Sequence, residues 1–198
     1  MTLLIVICLL VGIFAGYFFI SPEIAALSGD ISNIALFFLL FFVGISIGSN
    51  KEALKSIRYI GFKVLLVPLG TIIGSLLAGA VCSLLLKMSL QDGLGIGMGL
   101  GWYSLSGGLL TDLSNSSIGT ISFLSNIVRE LLAVMLLPML AKYTNEYTAL
   151  APAGVNSQDM VIPMYIKCVG QDKVVIALFN GICCSFAVPL IINIIYLF

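Results

Sequence analysis

The sequence predicts an all-α polytopic membrane protein, and three observations predict it. Mean hydropathy is +1.17 over 198 residues. Charged residues make up 9%, nine basic and nine acidic, against about 25% in soluble domains. Apolar runs of eighteen or more residues recur, each long enough to cross a hydrocarbon core about 30 Å thick. Zero net charge and the lack of basic clusters exclude a nucleic-acid partner.

Five apolar segments read as full spans, at about 2–20, 31–49, 60–86, 119–141 and 174–197. The first has no basic n-region and no small-residue cleavage site, so it reads as a retained span rather than a signal peptide. Pro68, Pro138 and Pro189 fall inside spans, where neighbouring helices can satisfy the freed carbonyls. The segment 50–63 carries Lys51, Lys55, Arg58 and Lys63, whereas 21–30 carries Glu23 and Asp30 and no base. The positive-inside rule therefore expects a cytoplasmic N-terminus, 50–63 inside, 21–30 outside, and the C-terminus outside.

Two further segments, about 93–116 and 148–169, are apolar overall but broken. They are expected either to cross fully or to be re-entrant hairpins, and the hairpin version leaves one more lysine inside. The first contains GWYSLSGG at 101–108; the second contains APAGVNSQDMVIP at 151–163. Unwound backbone at membrane depth survives only where it lines a cavity or is buried in protein. Its freed N–H and C=O groups then serve a ligand, and helix N-termini aimed there favour carboxylates. Gly93, Gly97 and Gly101, four apart, also fit close helix packing. Each broken segment precedes a helix with an asparagine: Ser104 and Asn126 are 22 residues apart, Ser157 and Asn180 are 23 apart. A late proline follows in both helices. The pattern suggests a degenerate inverted repeat, a recurring transporter plan. On this reading 1–198 is one membrane domain.

The ionisable residues at membrane depth are Arg129, Glu130 and Asp159, with Asp112 just past the first break. Each costs at least about 2.5–3.5 kcal/mol to insert, so a function or a buried ion pair must account for it. Ser122, Asn126 and Glu130 share one helix face and expose a polar flank to the bundle interior. The candidate substrate- or proton-binding residues are Trp102, Tyr103, Ser104, Ser106, Asp112, Asn126, Arg129, Glu130, Asn156, Ser157, Asp159 and Asn180. The five cysteines show no CxxC spacing and no histidine is present, so no metal site and no cofactor are expected.

GWYSLSG, then FLSNIVREL with a late proline, then Gly154, Ser157, Asp159 and Pro163, resemble the prokaryotic lysine exporter family of LysO type. The stretch AGVNSQDMVIP departs from the family's usual GGATSMDTTLP, keeping Ser157, Asp159 and Pro163. The resemblance implies a subunit of a secondary transporter in the prokaryotic inner membrane, exporting a cationic amino acid, most simply L-lysine. Export against a negative interior costs about 2.3 kcal/mol per 100 mV for each positive charge, which proton antiport would offset. In that scheme Asp159 or Glu130 alternates between ammonium and proton, while Arg129 and the freed N–H groups hold the carboxylate. Family members also occur as two polypeptides, and this chain resembles the larger C-terminal half. A separate membrane subunit of roughly 90–100 residues is then expected to cover the polar flank, with pairing of two such units.

Two other readings stand beside it. An intramembrane aspartyl protease would use Asp112 and Asp159, but no GxGD signature is present. Serine proteolysis lacks a histidine base. A non-transporting structural subunit is the third.

Overall fold

The computed structural model describes residues 62–197 together with Val11, Phe14, Ile34, Phe38, Phe41, Phe42 and Ile45. The chain clusters into two compact units, Met1–Ser46 and Ile47–Phe198. In the first, the described residues include Phe38 stacked on Phe42 at 6.4 Å and Phe41 edge-on to Phe42 at 5.8 Å. The expected spans at 2–20 and 31–49 and the basic segment 50–63 otherwise lie outside the described residues.

The described residues of the second unit form helices joined by short turns. A 3₁₀ turn at Phe62–Leu65 leads into α1 (Leu66–Leu86), followed by α2 (Leu90–Gly97), α3 (Tyr103–Leu113) and α4 (Ser116–Tyr143). Short 3₁₀ turns at Thr148–Leu150 and Gly154–Gln158 precede α5 (Ile162–Val169), and α6 (Val174–Leu197) closes the unit. Among the described residues three helices are long and apolar enough to cross a membrane: α1, α4, and α6 with its preceding turn. Of the five expected spans, the three that fall on described residues are therefore present. Their outward faces carry apolar side chains such as Leu77, Leu84, Leu124, Met135 and Leu190. Lipid, unlike water, leaves such a surface without penalty.

Hydrogen bonds at the helix ends decide how the broken segments run. Ser89 caps α2 by accepting from the Asp92 N–H at 3.1 Å. Asp92 then accepts from Ser89 (2.6 Å), from Ser114 just past α3 (2.7 Å) and from Tyr196 near the end of α6 (2.7 Å). The start of α2 and the end of α3 therefore lie at the same end of the bundle. The first broken segment folds back on itself as a helical hairpin. At the opposite end of α4, Tyr165 of α5 donates to the Glu146 carbonyl at 3.1 Å. Lys173 pairs with the Glu146 carboxylate at 3.4 Å. That carboxyl sits below its ordinary value, held first by its own backbone N–H and then by Lys173. The second broken segment thus also returns to the end it left. The two hairpins enter from opposite ends, as an inverted repeat requires.

Their tips meet. The Val155 N–H donates to the Leu100 carbonyl at 2.9 Å, and the Asn156 side chain donates to the Gly101 carbonyl at 3.2 Å. Gly101 and Gly154 take positive φ values of 89° and 55°, which glycine alone adopts without strain. A Cβ on Gly154 would also stand 2.2 Å from the Leu100 oxygen.

The position of the first break corrects the sequence reading. The unwound stretch is Met98–Trp102, and SLSGG is regular helix at the start of α3. Gly107 instead packs against α4, where a Cβ on Gly119 would lie 2.7 Å from the Gly107 oxygen. Gly93 and Gly97 pack on α1 in the same manner: their added Cβ atoms would lie 2.6 and 2.5 Å from the oxygens of Gly79 and Ser75.

Gly154→Ala should lower the thermal midpoint in detergent sharply, because about 1–2 kcal/mol of left-handed strain adds to the clash. Gly70, with open space around its Cβ position, serves as the control. Gly70→Ala should leave the midpoint unchanged or raise it. Equal midpoints for the two variants would remove the tip contact from the account.

Candidate functional site at the crossing of two hairpin tips

Each tip is held by the asparagine of the helix that follows it. Asn126 on α4 accepts from the Gly101 N–H at 2.8 Å and donates to the Ser122 carbonyl at 2.9 Å. Ser106 and Ser122, both fully buried, complete this cluster with a hydroxyl–hydroxyl bond of 3.1 Å. Asn180 on α6 donates to Ser157 at 3.0 Å and to the Gly154 carbonyl at 3.3 Å. Ser157 in turn donates to the carbonyls of Gly154 and Ala177. The two asparagines expected from the repeat are therefore equivalent in place. The serine partner of Asn126 is Ser106, not Ser104. Ser104 is exposed, because two residues along a helix turn the side chain to another face.

The start of α3 lies at this crossing. Its N-cap residue, Trp102, supplies no side-chain cap. The N–H groups of Tyr103, Ser104 and Leu105 precede the first intrahelical bond and make no other hydrogen bond among the described residues. Such donors, with the positive end of the helix dipole behind them, suit a carboxylate. Tyr103 stacks edge-on to Phe123 at 5.4 Å, and its hydroxyl is within electrostatic range of both Glu130 and Asp159. Glu130, half-buried on α4, lies near the Asn156 amide and within electrostatic range of Asp159. Asp159 is exposed just past the second tip, its carboxylate accepting from the Met160 N–H. Two carboxylates close enough to feel each other's charge favour a shared cation or proton.

Arg129 points elsewhere. Its Nε donates to the Pro152 carbonyl at 3.0 Å, and its Nη1 donates to Ser75 at 2.9 Å and to the Gly97 carbonyl at 3.5 Å. Among the described residues it makes no ion pair with Glu130 or Asp159; the ion pair there is Lys173–Glu146. The two side chains are adjacent on α4 and so diverge by about 100° around the helix. A mostly apolar cavity of about 280 Å³ lies on the Arg129 side, lined by α1, α2 and α4 residues including Cys82, Ile96 and Ile121.

Asp112 is also apart. It sits exposed in the last turn of α3 and makes no hydrogen bond or ion pair among the described residues. The carboxylate within electrostatic range of Asp159 is Glu130. Among the described residues no group of three or more His, Cys, Asp or Glu is placed to hold a metal ion. Of the cysteines described, all are free thiols, and Cys184 is fully buried against Asn180.

Three residues with structural roles here were absent from the sequence candidates: Asp92, Ser75 and Gln158, the last donating to Ser185 on α6 at 3.1 Å. Ser89-x-x-Asp92 resembles a capping box and is the one signal that was legible.

The two latches use opposite chemistry, and this generates a prediction. Asn126 holds its tip by accepting a hydrogen bond, which a carboxyl oxygen can still do. Asn180 holds its tip only by donating. Asn180→Asp should therefore cost more stability than Asn126→Asp, by about 1–3 kcal/mol for the acceptors left unpaired. Thermal melts of both purified variants check the order. Reversal of that order would show that the latches are wrongly assigned.

The family model for lysine exporter LysO matches residues 6–196. An Escherichia coli relative, lysine exporter LysO, is 34% identical over 163 residues, covering 82% of this chain and 54% of the relative. A Haemophilus influenzae relative, provisionally named a lysine exporter, is 31% identical over 160 residues, covering 78% of each. The chain thus spans about half the length of the Escherichia coli protein. No solved structure is a significant match. With a family match running nearly end to end and a relative 34% identical over 82% of the chain, this multi-pass membrane chain belongs to the LysO lysine exporter family.

Proposed function

We propose that the chain is a subunit of a secondary transporter that exports a cationic amino acid, L-lysine first, in exchange for protons. One observation carries the reading: the open N-terminus of α3 stands at the tip crossing, with Glu130 and Asp159 within electrostatic range of its first residue, Tyr103. A basic amino acid has the complementary charges. Its carboxylate is received by the N–H groups of Tyr103, Ser104 and Leu105, and its ammonium groups by Glu130 and Asp159. Asn156 sits between the two parts and orients both. The sequence reading gave Arg129 the carboxylate; its bonds to Pro152, Ser75 and Gly97 favour the α3 N-terminus instead.

Proton exchange follows from the same geometry. With ammonium bound, both carboxylates are ionised and balanced. After release on the far side, a proton takes the place of the ammonium and lets the site return without stranding like charges. The inward-moving proton, driven by the membrane potential, offsets the cost of moving a cation outward, about 2.3 kcal/mol per 100 mV. Opposed re-entrant hairpins fit alternating access, since each tip is reached from its own end.

The chain is a transport component and not an enzyme in this reading: Asp112 is isolated and no histidine exists to serve as a base. It acts in the inner membrane with its N-terminus in the cytoplasm, together with a separate short membrane subunit. The wide outward apolar faces of α1 and α4 are compatible with both lipid and protein neighbours.

Radiolabelled lysine counterflow in proteoliposomes, with and without the short subunit, tests this directly. Asp159→Asn should abolish proton-driven export, and Glu130→Gln should reduce lysine affinity as well as flux. Both substitutions keep side-chain size and hydrogen bonding. Normal flux with normal pH dependence in Asp159→Asn would remove the exchange role, and peptide cleavage in place of flux would replace the whole reading.

A further inference from the structure

Arg129 is the one charged residue at the crossing that the exchange scheme leaves unused. Its guanidinium is bound by three oxygens from three separate parts of the chain: Ser75 Oγ on α1, Gly97 O at the C-terminal end of α2, and Pro152 O just before the second tip. The carbonyl end of α2 carries the negative pole of its dipole, and Pro152 adds another carbonyl from the other hairpin. Carbonyl and hydroxyl oxygens are hard ligands of the kind that hold alkali and alkaline-earth cations. In transporters built on broken helices, such half-helix C-terminal ends and unwound carbonyls coordinate the coupling sodium ion. Here no carboxylate neutralises Arg129 among the described residues, so the carbonyl dipoles are its counter-charge.

We propose that Arg129 is the built-in cation of the crossing, a positioning residue whose guanidinium stands where a coupling sodium ion would otherwise bind. Two consequences follow. The tips are drawn together by a charge that never leaves, so flux does not depend on sodium. Removal of the side chain uncovers a vacant cation site with three oxygen ligands, one that a small soluble cation can refill. The flux arm of the test rests on the exporter reading; the structural arm does not.

The experiment uses the full chain together with its short subunit in proteoliposomes, as wild type, Arg129→Ala and Arg129→Lys. Backbone amide exchange at Val155 reports the tip contact and at Gly101 the Asn126 latch beside it, and lysine counterflow reports transport. Wild-type counterflow is expected at equal rates in sodium and choline media. In Arg129→Ala the Gly101 and Val155 amides should exchange about tenfold faster or more, as loss of a charge-assisted brace implies. Millimolar guanidinium should restore protection, and sodium should do so less well, while choline should not. Arg129→Lys, which keeps the charge, should retain protection between wild type and Arg129→Ala. Four outcomes would each overturn the proposal: a sodium requirement in the wild type; wild-type protection in Arg129→Ala; no recovery with guanidinium in a folded Arg129→Ala; or Arg129→Lys exchanging as fast as Arg129→Ala. Guanidinium-restored protection in a chain with no lysine counterflow would leave the built-in cation standing and remove lysine export alone.

Discussion

The hydrogen bond from the Val155 N–H to the Leu100 carbonyl is the constraint on which the rest of this fold depends. A broken helix exposes backbone groups that lipid cannot satisfy, at a cost of several kcal/mol each. Each tip makes some turns of its own, such as Trp102 N–H to Gly99 and Asn156 N–H to Ala153, but the Leu100 and Gly101 carbonyls are taken by the other tip. The glycines at 101 and 154, the asparagines at 126 and 180, and the span of Arg129 all follow from the need to bring two irregular segments within bonding distance.

That arrangement also separates charge. Arg129 and Glu130 are neighbours in sequence but lie on different sides of the crossing, one among carbonyls and one within electrostatic range of Asp159. A direct pair between them would leave the crossing with neither a fixed positive brace nor free carboxylates. The helix keeps them apart by geometry alone, since adjacent residues point about 100° away from each other. The α3 N-terminus supplies the third element, uncapped donors, at the same depth.

Much of this was legible in the sequence. Glycine, serine and asparagine within apolar runs marked both breaks, and the paired spacings to Asn126 and Asn180 marked the repeat. The exact turn was not legible. SLSGG reads as a break because its composition is polar and small, yet the same residues serve a tight helix–helix contact: Gly107 and Gly119 let α3 and α4 approach so closely that neither has room for a Cβ without displacement. Composition does not distinguish those two uses of glycine. Both Ser104 and Ser106 were sequence candidates, and only the fold separates them, since a spacing that spans a turn fixes no helical face. The partners of Arg129 were hidden for another. Carbonyl oxygens belong to every residue, so a sequence shows carboxylates and never shows which backbone oxygens will converge. The clamp of Ser114 and Tyr196 on Asp92 joins residues up to 104 positions apart, and only its local capping half leaves a pattern.

The mutual completion of the tips has a bearing on biogenesis. Leu100 and Val155 are separated by more than fifty residues, so during synthesis the first hairpin is finished well before its partner exists. Throughout that interval the Leu100 and Gly101 carbonyls must be sheltered by something other than the second tip. Release of the chain into lipid becomes favourable only when both halves are present.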